Sequence, residues 1–181
     1  RWRHPTHGLL LPADFIPLAE EIGLIGDIES WVFTQATETS KQWQATIAPH
    51  LQISLNLSAR EFCHQNSEIA WASELEKLGL SGSGFAIELT EKIFSEGTQS
   101  LAEKLSRLEK AGISVSLDDF GTGQFSIAYL KQFPIDYLKI APMFVQSEEV
   151  NKTNRTIAET IIVMAHLLDI EVIAEGVETR Q

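Results

Sequence analysis

A chain of 181 residues with 44% apolar content can bury one sizeable core, and no second domain is needed to account for it. Its formal net charge of −11 repels DNA, RNA and anionic membrane surfaces, so a phosphate ligand would need local positive charge. The lone Cys63 excludes an internal disulfide and a cysteine-based zinc cluster; it suits a reducing compartment, and cytoplasm is the expectation.

In chain order, RWRHPTHGLLLP is too polar for a signal peptide, and no apolar run reaches the roughly 18 residues of a membrane span. Pro12 opens a helical stretch, PADFIPLAEEIG, and Asp27 is the expected N-cap of a helix running through Ser40. Five runs rich in β-branched and aliphatic residues then read as strands, over 51–58, 84–91, 112–121, 136–142 and 171–178. Helical periodicity fills the intervals from Glu68, Thr98 and Asn154. In the second of these, Leu101, Leu105 and Leu108 share a face and Gly112 stands at the C-cap. Strand starts recur every 25 to 35 residues or so, the length of a βα unit, which predicts an α/β fold with a parallel sheet. The chain starts without Met and stops at Gln181 directly after a strand-like run, so a fragment of something longer is expected.

Each strand run ends in polar or charged residues: Asn56, Glu88, Asp118 with Asp119, Lys139, and Glu175 with Glu178. An open doubly wound sheet collects few such residues at its switch point, whereas a barrel converges every strand end on one mouth. A barrel is therefore expected. Asn56, Glu88, Asp118, Asp119 and Glu175 sharing one mouth could not all stay ionised in a small volume without cations. Oxygen donors suit Mg²⁺ or Mn²⁺, and adjacent aspartates can serve two ions that bridge a scissile phosphate and acidify the attacking water. Lys139 would face the same carboxylates. Taken singly, each residue has a plainer reading: a loop-capping Asn or Glu, an Asx-type turn at Asp118-Asp119, a snorkelling lysine. The coincidence at five strand ends favours ligands.

Gly121 and Gly123 begin a G-x-G-x-x-G pattern, but Ser126 breaks the dinucleotide fingerprint. The five histidines show no metal spacing, with His166 read as a core or helix-flank residue, and Trp2, Trp31, Trp43 and Trp71 read as packing residues.

These motifs together closely resemble the EAL domain, the bacterial phosphodiesterase specific for cyclic di-GMP. Arg1-Trp2 is similar to the end of the E-A-L-x-R-W signature, and FIPLAEEIGLIGDIESWVF, LNLSAREF, IELTE, SLDDFGTG, PIDYLKI and VIAEGVET follow in the family's order. The resemblance implies a modified TIM (β/α)8 barrel with one antiparallel strand, with residues 1–181 forming an incomplete domain. The E-A-L glutamate and the closing βα elements would lie outside the chain. It implies hydrolysis of cyclic di-GMP to linear pGpG with two Mg²⁺ or Mn²⁺ ions. Asn56, Glu88 and Asp118 would hold one ion, with Asp118 bridging, and Asp119 and Glu175 the second. Lys139 would position the water, Glu178 would lie near the metals, Glu91 would hold the loop after Asp119, and Arg1 would contact substrate. A homodimer, flanking sensory or GGDEF-type domains and a membrane-tethered parent are further expectations. Departures from the family pattern are Ala141, where K-I-D is common, and Gln124-Phe125 in the loop. They motivate an alternative, a degenerate domain that binds cyclic di-GMP as a receptor without cleaving it.

Overall fold

The structure, a computed structural model, describes residues 1–64, 67–95, 98–123, 127–146 and 152–177; Gln124, Phe125 and Glu178 lie outside the described residues. The chain opens with a hairpin, β1 (Trp2–His4) paired antiparallel with β2 (Gly8–Leu10). Pro12 then takes the first position of α1 (Pro12–Glu21), where its missing N–H costs nothing, and Asp14 accepts a hydrogen bond from the Leu11 N–H at 2.8 Å. Gly23, at φ +76°, turns the chain straight into α2 (Ile25–Thr46). Asp27 is therefore not the N-cap that the sequence suggests. Leu24 occupies that place, and Asp27 sits inside the first turn, where its charge still favours the helix dipole.

The remaining elements alternate. In order they are β3 (Ile53–Asn56), α3 (Ala59–His64), α4 (Ser67–Leu78), β4 (Phe85–Thr90), α5 (Thr98–Lys110), β5 (Ser114–Phe120), α6 (Ile127–Leu130), β6 (Tyr137–Ile140), α7 (Pro142–Val145), α8 (Lys152–Leu167) and β7 (Glu171–Ala174). The predicted stripe on α5 is buried, with Leu101, Leu105 and Leu108 at most 1% exposed. Gly112 ends that helix at φ +74°, and the Gly112 and Ile113 N–H groups close onto Glu109 and Leu108.

Strands β3 to β7 form one parallel sheet in sequential order. Every crossover steps the same way, and right-handed connections then place the helices on one side of the sheet. That is the winding of a barrel, not of a doubly wound sheet, and with the antiparallel hairpin it gives an α/β, TIM-barrel-like architecture.

Register separates the two faces. Ile53 pairs with Phe85, Leu55 with Ile87, Ile87 with Val115, Leu89 with Leu117 and Leu117 with Leu138, so one face is uniformly apolar and receives the helices. The opposite face carries Ser54 and Asn56, Ala86 and Glu88, Ser114, Ser116 and Asp118, then Tyr137 and Lys139, small or polar residues throughout. The apolar core collects around the first face and includes Phe33, Trp71 and Phe85, with the Phe33 and Trp71 rings stacked 4.6 Å apart.

Of the four tryptophans read as packing residues, only Trp71 is buried. Trp31 and Trp43 stand on the outer side of α2 at 64% and 43% exposure, and Trp2 rests edge-on against Phe15 while remaining 44% exposed. His166 is exposed on the flank of α8.

Leu117 is fully buried at the centre of the helix-facing layer. Leu117→Ala should lower stability by about 2–5 kcal/mol in equilibrium denaturation, the range for a leucine truncation that leaves a cavity.

Candidate active site

Lys139 lies in β6 on the polar face, with its side chain 11% exposed. Its ammonium is 3.0 Å from Glu88 Oε2 of β4 and 3.4 Å from Asp118 Oδ1 of β5, and it also pairs with Glu175 just beyond β7. Burial alone would lower its pKa. Hydrogen bonds to Glu175 and Glu88 and the charge of Asp118 outweigh burial and hold it above the ordinary lysine value, so it stays cationic.

Asp118 and Asp119 are neighbours in sequence, and a regular strand would send them to opposite faces. The pairing of β5 with β6 shifts between Leu117 and Phe120, and Asp119 adopts φ +52°, a left-handed conformation that Asp tolerates better than most residues. This irregularity breaks the alternation. Oxygens of Asp118, Asp119 and Glu175 consequently lie within 4.8 Å of one another. Directly after, Thr122 bonds back to the Asp119 carbonyl through its Oγ1 at 2.9 Å.

Asn56 is in register with Glu88 at the end of β3, on the same face and exposed. Glu91 follows β4 and accepts the Gly121 N–H at 2.7 Å, which ties down the turn after Asp119. A Cβ at Gly123 would stand 2.2 Å from Glu91 Oε2, so the turn passes close against the carboxylate, and a side chain there would displace it. Arg1 is exposed ahead of β1, and among the described residues no ion pair joins it to the acidic group. Ala141 is buried at the end of β6 and is the N-cap of α7, where it offers no side-chain acceptor.

This set fits hard divalent cations. All its donors are oxygens, and a single ammonium serves three of its carboxylates. A group so short of positive charge gains from added cations.

A family model described as the EAL domain matches residues 1–181. The chain belongs to the EAL domain family. It is 36% identical over 181 residues to the cyclic di-GMP phosphodiesterase NbdA of Pseudomonas aeruginosa, covering 100% of this chain and 23% of NbdA. With the cyclic di-GMP phosphodiesterase PdeR of Escherichia coli it shares 34% over 179 residues, 99% of this chain and 27% of PdeR. The chain thus spans about a quarter of the length of these relatives. Among solved structures, the PaMucR phosphodiesterase in complex with c-di-GMP superposes with a TM-score of 0.93 at 34% identity, over 99% of this chain and 73% of that one.

Within this EAL domain, sequence reasoning missed two carboxylates that shape strand ends. Asp136 accepts the Val115 N–H at 2.7 Å and fixes the entry of β6 beside β5. Glu29 of α2 accepts the Ser58 N–H at 2.6 Å, just after β3. Both lie within the quoted motifs, but each acts across the fold on a distant backbone N–H, 21 and 29 residues away, and nothing local marks that partner.

Lys139→Met should destabilise the metal-free protein by about 3–5 kcal/mol at neutral pH, because it leaves buried carboxylates without their cation. A folded pKa above the unfolded one means that the contribution of Lys139 is intact below about pH 10.4 and fades as pH rises toward the folded value. Denaturation in chelator should therefore show a constant difference between wild type and variant from pH 7 to 9, narrowing above pH 10.4 or so.

Proposed function

We propose that this EAL domain hydrolyses cyclic di-GMP to linear pGpG with two Mg²⁺ or Mn²⁺ ions. The observation that carries the reading is the convergence of Glu88, Asp118, Asp119 and Glu175 around Lys139 at neighbouring strand ends. The names of NbdA and PdeR, and the ligand of the PaMucR complex, support the substrate.

In this reading Asn56, Glu88 and Asp118 would hold one ion, and Asp119 and Glu175 the other. Ions bound there would offset the phosphodiester charge and lower the pKa of an attacking water. Lys139, beside the same carboxylates, donates a hydrogen bond that orients the water or a phosphate oxygen. Glu91 keeps the turn that carries Asp119 in place through the Gly121 N–H. Arg1, just ahead of the hairpin, contacts substrate; Glu178, which lies outside the described residues, is a further carboxylate proposed for the site.

Residues 1–181 would form part of a larger EAL domain in a parent protein with sensory or GGDEF-type modules. MucR of P. aeruginosa, named a bifunctional diguanylate cyclase/cyclic di-GMP phosphodiesterase, supports that arrangement. A homodimer and a cytoplasmic site of action, with or without a membrane-tethered parent, complete the proposal. Among the described residues no helix is long and apolar enough to cross a membrane.

Ala141 favours a second reading, a receptor that binds cyclic di-GMP without turnover, because a buried position beside Lys139 lacks a carboxylate. Chromatography of cyclic di-GMP incubated with Mn²⁺ and the parent protein, which supplies the rest of the domain, decides between them. The enzyme reading expects pGpG, and Asp118→Ala should slow its formation by about 10²-fold or more, as loss of an electrostatic stabiliser does. Calorimetric binding with no product would establish the receptor instead.

A further inference from the structure

We infer that Glu29 is a positioning residue that sets the orientation of Asn56, an inference that rests on the reading of Asn56 as a metal ligand. Asn56 is the last residue of β3, and its own side chain is exposed, so packing does not fix where it points. Its orientation must come from the backbone. The two N–H groups that follow are both tied. Leu57 donates to the Glu88 carbonyl at 3.0 Å, continuing the ladder with β4, and Ser58 donates to Glu29 Oε1 at 2.6 Å.

Glu29 is well placed for this. It is half-buried on α2 and meets Ser58 only through the fold, since 29 residues separate the two. A carboxylate accepting a partly shielded N–H makes a short, charge-assisted bond, stronger than a neutral one. Ser58 is also where the chain turns from strand to helix, because its carbonyl accepts the Phe62 N–H at 2.9 Å and opens α3. The side chains of Leu57 and Phe62 are 7% and 1% exposed, which anchors the turn below. The Glu29 bond thus holds the one backbone group between Leu57 and the start of α3, and with it the direction in which the chain leaves Asn56. Groups behind a metal ligand that orient it are worth about 10- to 100-fold in metal affinity when removed.

The test is calorimetric titration of Mn²⁺ into the full chain, for wild type, Glu29→Ala, Glu29→Gln, Asn56→Ala and the Glu29→Ala/Asn56→Ala pair. Glu29→Ala should weaken Mn²⁺ binding about tenfold. Glu29→Gln, whose amide oxygen still accepts the Ser58 N–H, should stay near wild type. Glu29→Asp, one methylene short, should repeat the loss and stands in for the alanine variant if that fails to fold. In the Asn56→Ala background Glu29→Ala should change nothing further, since the two act through one ligand. Unchanged affinity in Glu29→Ala, an equal loss in both backgrounds, or no rescue by Gln would overturn the inference. Wild-type Mn²⁺ affinity in Asn56→Ala would instead remove Asn56 from the ligand set, a separate failure that the single variant exposes.

Discussion

Among the described residues, Lys139 is the one ammonium placed between Glu88 of β4, Asp118 of β5 and Glu175 just beyond β7, and the polar side of the sheet is organised around that arrangement. Carboxylates this close repel one another, and burial strengthens the repulsion because less water screens it. One positive charge makes the cluster tolerable in the absence of metal without satisfying it. The cluster therefore combines a folded scaffold with an unfilled demand for cations, which is what a metal-dependent site requires before its ions arrive.

That charge can be shared only because the strands are in register. Parallel pairing aligns Asn56 with Glu88 and Thr90 with Asp118, and the alternation of side chains sends every apolar partner toward the helices. A one-residue slip in β4 would exchange Glu88 for Ile87 or Leu89 and put a carboxylate against the helices. The hydrophobic layer of Phe85, Ile87, Leu89, Val115 and Leu117 thus fixes the acidic layer on its reverse. Stability and chemistry are written on alternate residues of the same strands. The exception is Asp119, which reaches the polar side only through the irregular pairing before Phe120, and the Glu91 bond to Gly121 steadies the turn that follows.

Much of this was legible in the sequence for a physical reason. Period-two alternation and strand-end polarity are local signals, and Asn56, Glu88, Asp118, Asp119, Lys139 and Glu175 each stand at a strand end where those signals place them. The α5 stripe was legible in the same way. Features that depend on what lies across the fold were not. Asp27 has the chemistry of a good cap, but Gly23 sets the helix start three residues earlier, with Leu24 as the N-cap. Trp31 and Trp43 are large and apolar, yet their outward placement on α2 follows from which side meets the sheet. Glu29 lies in a recognisable stretch, but nothing local marks its partner, a backbone N–H 29 residues away.

Ala141 bears on the charge of the site more than on its ligand set. Glu88, Asp118, Asp119 and Glu175 contribute four negative charges and Lys139 one positive, leaving a net of −3 (−4 + 1) for incoming cations to meet. Two divalent ions would bring that to +1, and a cyclic dinucleotide with two phosphates would carry the complex to −1. A carboxylate at position 141 would add one further negative charge to a complex already past neutrality. Its absence removes repulsion toward the substrate and takes none of the oxygens gathered around Lys139 or within the Asp118, Asp119 and Glu175 group. What Ala141 does forfeit is a side-chain acceptor at the start of α7, a helix of only 4 residues whose Pro142 needs no cap for its own nitrogen. The substitution thus changes the charge of the site and leaves its described oxygens in place, so the difference between enzyme and receptor rests on that charge.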